Sequence, residues 1–390
     1  VCPREHADAS CRPSLRVLYA STNISHPFTV GRVEMMEREG IEVECIGYER
    51  GDPPVRPAEQ YDVLGHLRKG AYLSRVPSIL RDVLALRRAI RRNDLIYVNG
   101  ADMALVVHVA GMLLGRPVVR DVPDIERVLV MPGLKSRPLR RLDKLIEGRC
   151  KLLVLTSPAA ETYYRDWIHV RTPVFVLENK VEPNVAEAWR RSLDELGSCS
   201  ASQDAPVVDR PLRVGWFAQL RDQWSLDLVE HLATDFSERF EIVMAGIVGP
   251  RIHGFDQFLA RNPTVRYLGP FRQIEDLPQL YSSVDISVAC VLPELPTSLA
   301  LSNRFYTSCY FGTPLIVRAD TAAGDKARHH DVGLVLRSSS PRDAAAELAS
   351  TPLADWLRWK ANMQALAPDV YCHTWESPEL AERLRALRAV

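Results

Sequence analysis

From Tyr267 to Val317 the chain reads YLGPFRQIEDLPQLYSSVDISVACVLPELPTSLALSNRFYTSCYFGTPLIV, and its punctuation leaves little conformational freedom. An apolar pair ends at a Gly turn and a short helical stretch follows. Then come a buried apolar run, a Pro-rich loop, a second helix closed by Gly312, and another buried run. Short buried strands alternating with helices require a parallel sheet wrapped on both faces. Ser302, Asn303 and Arg304 stand at the start of the second helix, just after a buried strand. That is where α/β sheets hold the phosphates of a nucleotide.

The same grammar runs through the rest of the chain. In the first half, strands are expected at Leu15–Ala20, Ile41–Ile46, Leu95–Val98, Pro117–Arg120, Leu152–Leu155 and Val174–Leu177. Helices are expected at about 29–39, 77–92 and 103–114, with an irregular Pro- and Gly-rich stretch at 51–57. The pattern restarts at Leu212–Phe217 and continues through Glu241–Ala245, Val265–Leu268, Asp285–Ala289, Leu315–Val317 and Gly333–Leu336, with helices between and a helical tail behind. The expected organisation is an α/β chain of two Rossmann-like domains facing across a cleft. The first spans 14–181 and a linker spans 182–211. The second spans 212–370, and a terminal helix spans 371–390. Ligands in such folds bind beyond the carboxyl ends of the strands.

Composition excludes several classes. Lys+Arg and Asp+Glu are both 49, which gives no electrostatic reason to bind nucleic acid. The eight cysteines are scattered without a CxxC pair, as expected of buried thiols in a reducing cytosol. No apolar run approaches the roughly 18 residues of a membrane span. VCPREHADASCRPS lacks the apolar centre of a signal peptide. The expected location is cytoplasmic, or peripheral on the inner face of the plasma membrane.

Motifs in both halves resemble GT-B glycosyltransferases of the bacterial group 1, or family-4-like, kind. LIYVNGADMALVVHVAGMLLGRPVVRDVPD and VFVLENKVEP are similar to parts of their acceptor domain. VGWFAQLRDQWSLDLVEHL, AGIVGP, YLGPF and SNRFYTSCYFGTPLIV follow the donor domain in order. The resemblance covers about residues 14–370 and implies transfer of a sugar from a nucleoside-diphosphate donor to a hydroxyl of a glycan or lipid-linked saccharide, in cell-surface polysaccharide synthesis. The terminal helix resembles the segment that crosses back onto the first domain in that family.

Such a transfer builds negative charge on the leaving diphosphate, so something cationic must grow in importance in the transition state. No two aspartates are spaced as Asp-x-Asp, so neither metal nor cofactor is expected. Arg304 and Arg221 match the family's basic positions and would carry the charge; a solvated helix residue and a loop ion pair are the plainer readings. Where many relatives place a ribose-gripping Glu this chain has Thr307, whose single hydroxyl cannot take a diol in bidentate fashion. Glu294 in the preceding loop is the candidate replacement. On the acceptor side, Asp121, Asp124 and His26 are candidate bases for an inverting reaction. Asp124 equally fits a helix N-cap and His26 a turn; a retaining enzyme needs no such base. His108 reads as core.

The first 180 residues carry 28 basic and 22 acidic side chains, concentrated as cations in Arg68–Arg92 and Lys135–Lys151. Solvated faces explain such runs, and so does docking on an anionic membrane surface. Two alternatives of similar architecture remain: a nucleotide-sugar epimerase, and a non-catalytic transferase subunit that would account for Thr307.

Overall fold

The structure, a computed structural model, describes residues 14–49, 61–66, 76–125, 127–130, 133, 136–199, 210–291 and 298–388. It divides into two compact units. The chain up to Leu177, together with Trp375 onward, makes the first, and Glu178–Thr374 makes the second.

The first unit contains β1 (Arg16–Ser21), α1 (Pro27–Arg38), β2 (Glu42–Glu49), β3 (Tyr61–His66), α2 (Val76–Arg92), β4 (Leu95–Asn99), α3 (Ala101–Gly111), β5 (Val118–Val122), α4 (Arg127–Val130), α5 (Ser136–Glu147), β6 (Leu152–Leu155), α6 (Pro158–Thr162) and β7 (Val174–Val176). Its seven strands pair in the order β3-β2-β1-β4-β5-β6-β7, and all six pairings are parallel. All of β4, β5 and β6 is buried, as expected of strands covered on both faces. β3 is the strand that the sequence hides. It is an edge strand with Asp62 and Val63 exposed, and it joins β2 through an irregularity at Gly47/Tyr48, so it has no continuous apolar run to reveal it.

The second unit contains α7 (Pro183–Cys199), β8 (Leu212–Phe217), α8 (Gln223–Asp235), β9 (Phe240–Ala245), α9 (Phe255–Arg261), β10 (Arg266–Tyr267), α10 (Leu277–Ser282), β11 (Ile286–Val288), α11 (Asn303–Tyr310), β12 (Leu315–Arg318), α12 (Ala322–His330), β13 (Gly333–Leu336), α13 (Pro341–Ser350) and α14 (Leu353–Gln364). The strand order is β10-β9-β8-β11-β12-β13. The residues that open the expected linker form the helix α7 and belong to the second unit. Its Trp189 is buried against Tyr310 and Phe311, with Nε1 donating to the Gln273 carbonyl at 3.1 Å.

The tail is α15 (Glu376–Arg388), which returns to the first unit. Leu380, Ala381 and Leu384 enter the same core as Val17, Tyr97 and Phe175. Each buried leucine contributes at most about 1.5–3 kcal/mol. Arg388 donates to the Ser14 carbonyl at 3.2 Å, and Arg383 lies 5.0 Å over the Phe175 ring. In both sheets the strand order reverses beside the first strand, between β1 and β4 and between β8 and β11. Ligands collect at such reversals.

Candidate functional site

At the β8/β11 reversal two loops are fused by backbone contacts. Ala218–Arg221 follows β8 and Gly246–Gly249 follows β9. Leu220 donates to the Ile247 carbonyl at 2.9 Å, and Gly249 donates to the Leu220 carbonyl at 2.6 Å. Gly246 sits at φ +141°, and a Cβ there would lie 1.6 Å from the Ala218 carbonyl oxygen, so only glycine lets the loops approach.

Three arginines converge on this edge. Ser302 caps α11, its hydroxyl accepting from the Arg304 backbone at 3.3 Å. Arg304 then folds back over the end of β11. Its Nη1 donates to the Val288 carbonyl at 3.2 Å, Nη2 to the Cys290 carbonyl at 3.1 Å and Nε to Ser302 at 3.3 Å. These partners are neutral; burial first, and then the charge of Arg221, push the Arg304 pKa below its ordinary value. Arg318, the last residue of β12, is buried with its guanidinium 4.1 Å over the Trp224 ring. Among the described residues its buried Nε has no hydrogen-bond partner. Arg221 is exposed beside them.

Among the described residues the one carboxylate in the group is Asp222, whose Oδ2 accepts from the Ser225 hydroxyl at 2.5 Å. Burial raises its pKa, while Ser225, Arg304 and Arg318 oppose the rise. One acid among three guanidiniums leaves the edge electropositive. The Cys290 thiol is buried there and pushed up to about 12 by desolvation, so it is inert as a nucleophile. Such an arrangement is suited to a dianionic or trianionic ligand: fixed donors, low local dielectric and excess positive charge.

The other expected residues stand as follows. Asn303 is exposed in the first turn of α11, beside the arginines. Thr307 is turned inward: it is buried, and its hydroxyl donates to the Asn303 carbonyl at 2.9 Å within its own helix. It therefore presents nothing to a ribose. Glu294 lies outside the described residues. Arg318, Trp224 and Asp222 are additions that sequence reasoning missed. A strand ending LIVR reads as a solvated terminal cation, and nothing local foretells the tryptophan beneath it.

In the first unit, Asp121 is fully buried, which removes it from contact with an acceptor. Its Oδ2 takes the Tyr97 hydroxyl at 2.8 Å and Arg32 Nε at 3.2 Å. Arg32 also donates to the Leu177 carbonyl at 3.2 Å, so the cluster ties α1 to the sheet. Burial raises the Asp121 pKa and Arg32 is the first of the groups that oppose it. His26 is the N-cap of α1, Nδ1 accepting from the Phe28 backbone at 3.2 Å. Asp124 is exposed just past β5. His108 is half-buried on α3, its Nδ1 2.8 Å from the Ala104 carbonyl, and burial lowers its pKa.

Two parallel Rossmann-like sheets with a terminal helix returned to the first define a GT-B fold, the architecture of glycosyltransferases. HepE of Anabaena, solved in complex with UDP-glucose, superposes at a TM-score of 0.69 with 17% identity, over 95% of this chain and all of that one. Sucrose-phosphate synthase of Thermosynechococcus elongatus superposes at 0.67 with 14% identity, over 96% of this chain and 100% of that one. In sequence, the chain is 26% identical to the succinoglycan biosynthesis protein ExoL of Rhizobium meliloti, over 94% of this chain and 95% of that protein. No family model matches.

Proposed function

We propose that the protein is a glycosyltransferase that takes a sugar from a nucleoside diphosphate, with uridine diphosphate as the carrier, and places it on a hydroxyl of a growing exopolysaccharide or its lipid-linked precursor. The observation that carries this reading is the arginine group at the β8/β11 reversal, with Arg318 buried and Arg304 half-buried, neither in an ion pair among the described residues. Support comes from the fold, from the UDP and UDP-glucose complexes of HepE, and from the place of ExoL in succinoglycan biosynthesis.

The geometry suits charge that develops during reaction. As the glycosidic bond breaks, the electron pair passes to the β-phosphate oxygen of the leaving diphosphate. Arg304 is already locked by two carbonyls, so it meets that charge without reorganising, which is the condition for stabilising a transition state more than a ground state. A charge-assisted bond of this kind contributes about 1.5–3 kcal/mol. Arg318, its guanidinium over the Trp224 ring and its Nε without a partner among the described residues, offers a second donor. In this reading transfer needs no metal, because the guanidiniums supply the positive charge. On the acceptor side we assign the proton-accepting role to Asp124, the exposed carboxylate past β5.

The test is transfer of labelled sugar from UDP-glucose and related donors into a lipid extract carrying lipid-linked saccharides, with and without EDTA. Label in the lipid fraction that survives EDTA is expected. Donor turnover that needs no acceptor would contradict the transfer, and loss of transfer with EDTA would contradict its independence of metal.

A further inference from the structure

Among the described residues no helix is long and apolar enough to cross a membrane, yet one face of the first unit is unusually apolar and unusually cationic. α3 contacts both α2 and α5. Its outward stripe is Leu105, Val109 and Met112, which are 39%, 46% and 59% exposed, and it ends at Leu113, 92% exposed. A stripe at helical spacing that faces solvent has no core to serve.

Leu113 breaks a second rule. Gly111–Leu114 forms a type II turn: Met112 lies at φ −53°, ψ 129°, Leu113 at φ +70°, and Leu114 donates to the Gly111 carbonyl at 2.9 Å. The third position of this turn calls for glycine. Here it carries a leucine in a left-handed conformation, displayed almost entirely to solvent. A residue that costs both backbone strain and apolar exposure marks a site where something else is gained.

The charges on the neighbouring elements are sorted. The acids of α2 and α5 (Asp82, Asp143 and Glu147) are buried, whereas Arg88, Arg116, Arg141 and Lys144 are exposed without an ion pair among the described residues. The one exposed acid on α3 is Asp102, at the far end of the helix, about 16 Å from Leu113 by helical rise. Arg87 Nη1 reaches the Met112 carbonyl at 3.4 Å, which ties α2 to the turn.

We propose that the α3 tip, Met112 and Leu113, inserts into the interfacial layer of an anionic bilayer while the surrounding cations of α2 and α5 bind its head groups. An apolar wedge ringed by unpaired cations matches that surface in both chemistries. A protein partner would need matching acids, and nothing in this face selects for them. The proposal rests on the reading of a lipid-linked acceptor only for its setting at a membrane, and its evidence is independent of catalysis.

The test is flotation of the full chain with phosphatidylcholine vesicles, with and without phosphatidylglycerol, at low salt. Binding is expected only with the anionic lipid. Lys144→Ala should weaken it about fivefold, and Leu113→Gly should weaken it about tenfold or more. Because glycine suits the turn, Leu113→Gly should also leave the melting temperature unchanged or raised, which separates lost insertion from lost folding. No flotation of the wild type, or flotation untouched by Leu113→Gly, overturns the proposal. So does a concentration-dependent dimer in light scattering that Leu113→Gly dissolves, since the face would then belong to a second copy. The readout needs neither donor nor transfer, so its failure and the failure of the transferase reading are distinct results.

Discussion

Each unit holds two arginines against its sheet, three of them buried and Arg304 half-buried, and the two units partner them differently. In the first unit, Arg32 meets Asp121 at 3.2 Å and Arg120 meets Glu147 at 3.4 Å, each group nearly or fully buried. In the second, Arg304 is spent on carbonyls and Arg318 on an indole face, with neither in an ion pair among the described residues. A buried cation with its own carboxylate is part of the scaffold, because the pair offsets the desolvation cost internally; Arg120, facing the raised Glu147 carboxyl, gains the full pair only above about pH 8. A buried cation without one holds that cost open until an anion arrives. The contrast locates the ligand site more firmly than either edge alone.

The comparison can be broken first at its most stable member. Asp121→Ala leaves Arg32 buried and unpaired and should cost about 3–5 kcal/mol in urea unfolding. A loss under about 1 kcal/mol would remove the scaffold reading and return Asp121 to the list of acceptor-side groups. Next, Arg304→Ala should cost about 2–3 kcal/mol of transition-state stabilisation, roughly 30–150-fold in kcat/KM, measured with saturating acceptor. Wild-type kinetics would show that the second edge is also mere scaffold.

A smaller effect sharpens the first edge. Burial, aided by Asp143 and opposed by Arg120, pushes the Glu147 carboxyl up to about 8. The folded state therefore keeps a proton that the unfolded chain, near its ordinary value of about 4.3, gives up. Stability is full below that unfolded value, falls as pH rises towards about 8, and levels beyond it, with a slope of at most about 1.4 kcal/mol per pH unit. Urea midpoints against pH should show this decline and Glu147→Gln should flatten it. An unchanged slope in that variant would assign the decline elsewhere.

Much of the fold was legible because parallel strands covered on both faces read as unbroken apolar runs. Leu212–Phe217 and Gly333–Leu336 are found at the residues where the sequence put them. β3 escaped because an edge strand needs no such run. At the site, Arg304 was legible from its place behind Ser302 at a helix start, a local signal. Arg318 and Asp121 were not, and for one reason: each ends or lies in a strand, and its environment is set by residues far off in sequence, Trp224 for the one, Arg32 and Tyr97 for the other. The inward turn of Thr307 was not legible either, because a side chain one turn along a helix can bond its own backbone instead of a ligand.

The most direct measurement is the melting temperature of wild type and Arg318→Met with UDP and UDP-glucose, in EDTA. Without nucleotide, Arg318→Met should melt at or above the wild type, since a well-packed apolar chain replaces an unpaired buried charge. With nucleotide at a hundredfold excess over its dissociation constant, the wild type should gain about 2.7 kcal/mol of stability and the variant distinctly less. Equal shifts in the two proteins, or none in either, would contradict the claim that these unpaired arginines hold a nucleoside diphosphate.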